Sequence, residues 1–129
     1  MIYVDTSVVL AQLLVEDRIP PAALWDEDLV SSRLAVYEAW TRVHARRLGA
    51  SHGEDLRTLF GRVALIEMVA PVLTRALEPF PAPVRTLDAL HLASIEFLRA
   101  QGIAVSLATY DERLRTGAAA LGVALYPLG

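Results

Sequence analysis

The sequence predicts an α/β fold with a central, mostly parallel sheet of four to five strands flanked by helices. Short apolar runs alternate along the chain with stretches of helical periodicity, and strands separated by helices need crossover connections that leave neighbouring strands parallel. In addition, 54% of the 129 residues are hydrophobic. A chain of this length and composition suits one domain, over residues 1–129, with a core of its own.

The first predicted elements are a short strand and a helix. Ile2 to Val4 is the strand, and Asp5-Thr6-Ser7 offers the residue types that cap helix N-termini before the apolar residues that follow. A break at Pro20-Pro21 precedes a short helix predicted over Ala22 to Asp28, because proline suits a first helical turn. Leu29 to Ser32 is a second strand.

A long helix is predicted from Leu34 to Leu48, with Gly49 ending it. Its core-facing side is marked by Val36, Trp40 and Val43, which follow i, i+4, i+7 spacing. The next elements are a helix from Ser51 to about Arg62 and a strand from Val63 to Val69.

The second half begins with a helix from Pro71 that ends before Pro79, followed by a stiff proline-rich loop over 79–83. Thr86 to Ala100 is a strongly apolar helix closed by Gly102. Ile103 to Ala108 is the clearest strand, and a helix from Asp111 to Leu121 and a last strand from Val123 to Tyr126 complete the chain.

Composition excludes several kinds of chemistry. The chain has no cysteine and no lysine, which excludes disulfides, zinc–thiolate sites, thiol nucleophiles, Schiff-base chemistry and a phosphate-binding P-loop lysine. A net charge of −3 argues weakly against nucleic-acid binding. No apolar run is long enough to span a membrane and no basic segment precedes the first strand, so we expect a cytoplasmic protein.

Polar residues follow two of the predicted strands. In an open parallel sheet, ligands bind outside the carboxyl ends of the strands, and Asp5 and Asp111 both stand there. Each of them taken singly is better explained as a helix N-cap. Ser7 and Thr109 are cap or turn hydroxyls that could also orient a neighbouring carboxylate.

Two acids lie on helices, and each has an ordinary structural explanation beside a functional one. Asp88 lies on a helix that the sequence predicts to be buried. Because a buried carboxylate is costly, we expect Asp88 to be bound to a metal, protonated or paired, for example with Arg85. Glu38 could be a solvated residue paired with Arg42 at i+4. His91, three residues after Asp88, could be a satisfied core histidine.

Four segments of the chain form a more specific set. They are MIYVDTS at 1–7, Glu38 in the helix after Ser31-Ser32, RTLDALHLA at 85–93 and LATYD at 107–111. This set resembles a PIN domain and, more narrowly, a VapC-type toxin of bacterial or archaeal toxin–antitoxin pairs. The resemblance covers the whole chain and implies a PIN-like, three-layer fold around a twisted sheet.

The resemblance also implies an acidic metal site. The catalytic and metal-binding acids of the family match Asp5, Glu38, Asp88 and Asp111. Its implied cofactor is Mg²⁺ or Mn²⁺, and Ser7 and Thr109 match positions where the family often carries a hydroxyl. Asp5 and Asp88 are the firmest ligands, Asp111 is a second ligand or a water-positioning acid, and Glu38 completes the shell or acts as general base.

Electrostatics explains why such a cluster would need a cation. Two carboxylates about 4 Å apart repel by about 4 kcal/mol at an effective dielectric of about 20. Oxygen ligands suit magnesium or manganese, and such an ion lowers the pKa of a water and polarises a phosphoryl group.

The resemblance implies a metal-dependent endoribonuclease that hydrolyses phosphodiester bonds of structured RNA, such as tRNA, rRNA or mRNA. Such toxins are restrained by a cognate VapB-type antitoxin and usually form homodimers. Arginine suits bidentate phosphate contact. The candidates for holding RNA phosphates are Arg42, Arg46, Arg47, Arg57 and Arg62.

Three alternatives remain open. A receiver-like, magnesium-dependent phosphoacceptor also places carboxylates at strand ends, but such domains use a lysine that this chain lacks. A non-catalytic RNA- or protein-binding module on the same fold is a second alternative, against which the presence of all four acids speaks. A nuclease acting on DNA flaps is a third, made less attractive by the short chain.

Overall fold

A wholly parallel sheet of five strands, in the order β3-β2-β1-β4-β5, lies at the centre of the protein. The structure is a computed structural model and describes residues 1–129. The strands are β1 (Ile2–Val4), β2 (Leu29–Ser32), β3 (Val63–Ile66), β4 (Ser106–Ala108) and β5 (Ala124–Leu125). The predicted α/β class is therefore confirmed.

Six α-helices and one 3₁₀ helix connect the strands, and none of them is long and apolar enough to cross a membrane. The 3₁₀ helix, Ala22–Asp26, lies between α1 and β2. The α-helices are α1 (Thr6–Leu14), α2 (Arg33–Ala45), α3 (Gly49–Phe60), α4 (Ala70–Ala76), α5 (Thr86–Ala100) and α6 (Glu112–Ala120).

The central strand β1 divides the core into two clusters, one on each face of the sheet. Ile2 and Val4 belong to a cluster that contains buried residues of α1, α2 and α3, whereas Tyr3 belongs to a cluster with buried residues of α5 and α6. Successive side chains of a strand point to opposite faces, which explains this division. The predicted three-layer arrangement is confirmed.

The strand order places a topological switch point at β1. The chain runs from β1 to β2 and β3 on one side, and β4 and β5 are added on the other side. The crevice outside the carboxyl ends of β1 and β4 is where open α/β sheets bind ligands.

The predicted end of the long helix was wrong. The helix α2 ends at Ala45, and Arg47 takes a left-handed conformation with φ of 56°. The N–H of Leu48 bonds the carbonyl of Val43 at 2.9 Å, so the last turn closes in a Schellman motif without a glycine. Gly49 begins α3 instead of ending α2.

The predicted core-facing side of α2 is correct at Val43 and displaced by one residue at its other two positions. Ala35 and Ala39 are fully buried together with Val43, whereas Val36 and Trp40 are half-buried. Alanine lets the helix approach the sheet closely, and the larger Trp40 packs at the side against Gly53 of α3.

Several elements are shorter than predicted. The strand β4 covers Ser106–Ala108 instead of Ile103–Ala108, because its partner β1 offers only three residues for pairing. The strand β3 ends at Ile66 instead of Val69, where β2 ends at its paired residue Ser32. The helix predicted over 22–28 is the 3₁₀ helix, which ends at Asp26.

Candidate active site

Four acidic side chains line one cavity of about 380 Å³ at the switch point. Asp5 follows β1 directly, and Asp111 follows β4 after a short turn. Glu38 comes from the second turn of α2, and Asp88 from the first turn of α5. Residues far apart in the chain therefore reach one cavity, because their elements all begin at the same edge of the sheet.

Asp5 is the most buried of the four acids, with 5% of its surface exposed. It caps α1, as its residue type predicts: its Oδ1 accepts from the backbone N–H of Val8 at 3.3 Å. Burial raises the pKa of Asp5 above its ordinary value, and the hydrogen bonds from Ser7 and Thr109 and the nearby His91 offset this only in part.

Two hydroxyls hold the carboxylate of Asp5 in place. Ser7 donates to Oδ1 at 2.6 Å, and Thr109 donates to Oδ2 at 2.7 Å. The same hydroxyl oxygens accept from the loop after β4, from the N–H of Tyr110 at 3.0 Å and from the N–H of Asp111 at 2.9 Å. This network ties the ends of β1 and β4 together around one carboxylate.

We expect the variant Asp5→Asn to be more stable than the wild type at neutral pH. A carboxyl whose pKa is raised on folding contributes stability in full below its unfolded pKa, and that contribution is lost as pH rises through its folded pKa. Asparagine carries no charge to bury and is also a good N-cap. Thermal unfolding in a chelator should therefore show an increase on the order of 4 °C at neutral pH.

The increase should shrink as the pH is lowered toward the ordinary pKa of aspartate, because both proteins are then uncharged at this position. An unfolding temperature for Asp5→Asn at or below that of the wild type at neutral pH would contradict the burial argument.

Glu38 is held by two hydrogen bonds to one of its oxygens. Its Oε1 accepts from Thr6 Oγ1 at 2.8 Å and from His91 Nε2 at 2.7 Å. Burial opposes ionisation, but the His91 and Thr6 bonds and the charge of Arg42 outweigh it, so the pKa of Glu38 lies below its ordinary value. Glu38 is therefore not the solvated residue paired with Arg42 that the local sequence favours.

His91 connects Glu38 to the core of the protein. The sequence does not predict the hydrogen bonds that His91 and Thr6 form with Glu38. Nδ1 of His91 lies 2.6 Å from the hydroxyl of the fully buried Tyr3, whose pKa is raised by burial. Since a carboxylate can only accept, the N–H at Nε2 donates to Glu38. The spacing of His91 from Asp88 places both on one helix face, but it does not reveal either partner.

Asp88 and Asp111 each have one oxygen in a backbone hydrogen bond. Oδ2 of Asp88 accepts from the N–H of Arg85 at 3.2 Å, and Oδ1 of Asp111 accepts from Arg113 and Leu114, which makes it the N-cap of α6. Their other oxygens have no partner within the protein. The salt bridge from Asp88 to Arg85 that the sequence leaves open is absent, and no arginine pairs with any of the four acids.

The donor chemistry of this cavity fits a hard divalent cation. All four acids offer oxygen, and three of them, Glu38, Asp88 and Asp111, keep one carboxylate oxygen without a hydrogen bond. Their spacing, however, does not form a coordination shell, since no group of three histidine, aspartate or glutamate side chains is close enough to hold one ion. The metal-ligand set therefore remains a prediction.

Of the five arginines suggested for phosphate binding, only Arg42 lines the cavity. Arg57 is held over an indole ring of α2, with 4.9 Å to the ring centre. Arg62 donates to a backbone carbonyl of the 3₁₀ helix at 2.7 Å. Arg46 and Arg47 are exposed beyond the end of α2.

Comparison with known proteins agrees with this fold. The PIN domain family matches residues 2–119 of the chain. Ribonuclease VapC47 of Mycobacterium tuberculosis (strain CDC 1551 / Oshkosh) is 31% identical over 129 residues, which cover 95% of this chain and 93% of that protein. Ribonuclease VapC35 of the same organism is 32% identical over 134 residues, which cover 100% of this chain and 98% of that protein.

Among solved structures, the crystal structure of Mycobacterium tuberculosis VapC20, titled a sarcin–ricin loop cleaving toxin, has a TM-score of 0.64. It shares 18% identity, and the match covers 90% of this chain and 94% of that one, which establishes likeness of fold.

This chain belongs to the PIN domain family. The family match covers residues 2–119, and the parallel sheet with an acid-lined cavity at its switch point agrees with it. Within that family it is of the VapC type, as its resemblance to such toxins predicted. Receiver-like phosphoacceptors are a different class of protein, so that alternative is removed.

Proposed function

We propose that this protein is a metal-dependent endoribonuclease that hydrolyses phosphodiester bonds of structured RNA and acts as the toxin of a toxin–antitoxin pair. The observation that carries the proposal is the cavity lined by Asp5, Glu38, Asp88 and Asp111, none of which is neutralised by an arginine. Full-length similarity to proteins named ribonuclease VapC supports the same activity.

The residues of the cavity suggest a division of roles. Asp5 and Asp88 would hold Mg²⁺ or Mn²⁺, with Asp111 as a second ligand or a water-positioning acid. The bound ion would supply positive charge to the phosphoryl oxygens and lower the pKa of a water. Glu38, whose pKa lies below its ordinary value, stays ionised, and His91 and Thr6 orient it. This suits a metal ligand better than a proton acceptor, because a lower pKa makes a carboxylate a weaker base.

Similarity to VapC-type proteins supports a proposal about partners and assembly. We propose that the chain forms one domain, dimerises with a second copy, is restrained by a VapB-type antitoxin and acts in the cytoplasm. RNA phosphates would meet Arg42, whose side chain lines the cavity without an ion pair.

The proposed activity is tested by incubating the purified protein with total bacterial RNA and magnesium and mapping the new RNA ends. We expect cleavage at a small number of discrete sites, with tRNA, rRNA or mRNA as the source. A single-stranded DNA and a DNA flap of comparable length serve as controls and should remain intact.

The alternative functions give different results in the same experiment. RNA that is bound but not cleaved would indicate a non-catalytic binding module, and cleavage confined to the DNA flap would indicate a flap nuclease. Either result would refute the proposal.

A further inference from the structure

An aromatic side chain is exposed at the acid-lined cavity. Tyr37, beside Glu38 on α2, lines the cavity with 64% of its surface exposed, and its hydroxyl has no hydrogen bond within the protein. Leu87, beside Asp88 on α5, lines the same cavity and is 47% exposed. An exposed aromatic ring beside a charged cavity offers a surface on which a nucleic-acid base can stack.

A second opening meets the first one at the acids. It has a volume of about 660 Å³ and shares Glu38, Asp88 and Asp111 with the first cavity. The charged residues that line only this opening are Arg85, Arg113 and Glu112. The only hydrophobic residue that lines it is Leu87. The acids therefore lie between an opening that contains Tyr37 and one that contains two further arginines.

The arginines of the second opening are free to contact a ligand. Arg42, which lines both openings, forms no ion pair, and the same is true of Arg85 and Arg113. Their guanidinium groups also donate no hydrogen bond to the protein, whereas Arg33 and Arg75 each bond a glutamate. An arginine whose guanidinium group has no partner within the protein is available for bidentate binding of phosphate.

We propose that a nucleotide next to the scissile phosphate is unstacked, so that its base lies on the ring of Tyr37 against Leu87, while the RNA backbone continues along Arg85 and Arg113. This proposal rests on the ribonuclease function and assigns Tyr37 a role in positioning an unpaired base beside the acids. Specific RNA recognition uses such unpaired bases, which stack on aromatic rings.

Charge favours RNA over a protein segment as the occupant of this surface. The apolar part at the cavity consists of Tyr37 and Leu87, which is enough for one base but small for a protein interface. The adjoining arginines have no partner within the protein and can bind phosphates, which an apolar peptide does not offer.

The test measures binding by fluorescence anisotropy with Asp88→Asn as the parent protein, so that the probe stays intact. The probe is a short, labelled, single-stranded oligoadenylate, and inorganic polyphosphate serves as a competitor that has the charges but no bases. We expect Tyr37→Ala to weaken oligoadenylate binding about tenfold and to leave competition by polyphosphate unchanged. Tyr37→Phe should bind like the parent, and Arg85→Ala should weaken binding of both molecules.

Leu77→Ala is the matched control, because Leu77, directly after α4, is 88% exposed and lies outside both openings. The proposal is overturned if the parent does not bind oligoadenylate or if Tyr37→Ala binds it like the parent, which would assign the ring to a protein partner. It is also overturned if Tyr37→Phe loses as much affinity as Tyr37→Ala.

The two proposals can fail separately. If the wild type cleaves no RNA but Tyr37→Ala still weakens oligoadenylate binding, the base site stands and the nuclease function falls. If the wild type cleaves RNA and Tyr37→Ala behaves like its parent, only the base site is refuted.

Discussion

Replacing Asp88 by asparagine should abolish RNA cleavage and growth inhibition while the fold stays intact. Asparagine keeps the shape of the side chain and an oxygen that can accept from the N–H of Arg85, which now lies 3.2 Å from the carboxylate. It removes the negative charge, and with it the attraction for a dication. A lost metal ligand costs several kcal/mol in the transition state, so the cleavage rate should fall about a thousandfold.

The measurement compares initial cleavage rates of the wild type, Asp88→Asn and Asp55→Asn. Asp55 is exposed on α3 and lines neither opening, so Asp55→Asn makes the same chemical change away from the site. The control should cleave like the wild type, and all three proteins should unfold at similar temperatures. A rate for Asp88→Asn close to that of the wild type would count decisively against the proposed site.

Removal of divalent ions should stop RNA cleavage, as the Asp88→Asn substitution should. No arginine forms an ion pair with Asp5, Glu38, Asp88 or Asp111, and Arg42 is the one arginine that lines their cavity. A divalent cation is therefore the natural source of further positive charge for the reaction. We expect EDTA to stop cleavage and added Mg²⁺ or Mn²⁺ to restore it. Attack by water should leave a linear phosphate on one end and a hydroxyl on the other, whereas attack by the 2′-hydroxyl leaves 2′,3′-cyclic phosphates.

Binding of the ion can be measured independently of cleavage. A ligand that binds only the folded state raises the unfolding temperature, so Mn²⁺ should stabilise the wild type and stabilise Glu38→Gln and Asp88→Asn less. Full activity in EDTA, or cyclic phosphate ends, would refute a metal-dependent hydrolysis.

Much of the fold follows from local sequence signals. Alternating strands and helices predicted the parallel sheet, and the bounds of β1, β2 and α5 agree with the sequence. The N-caps Asp5 and Asp111 were also predicted, because capping depends on a side chain and the backbone two or three residues ahead. The errors at Gly49 and in β4 arose where a closing turn or a pairing partner decided the boundary.

The sequence by itself determined the order of the elements, the VapC-type resemblance and four candidate acids. Only the tertiary structure decided which ordinary explanations failed: Glu38 bonds His91, 53 residues away, instead of Arg42, and His91 bonds Tyr3, 88 residues away. Local periodicity depends on neighbours within a few residues, whereas these contacts depend on how three elements pack around β1. The openings beside Tyr37 and Arg85 have the same origin, since each forms only where helices from different parts of the chain meet at the ends of the strands.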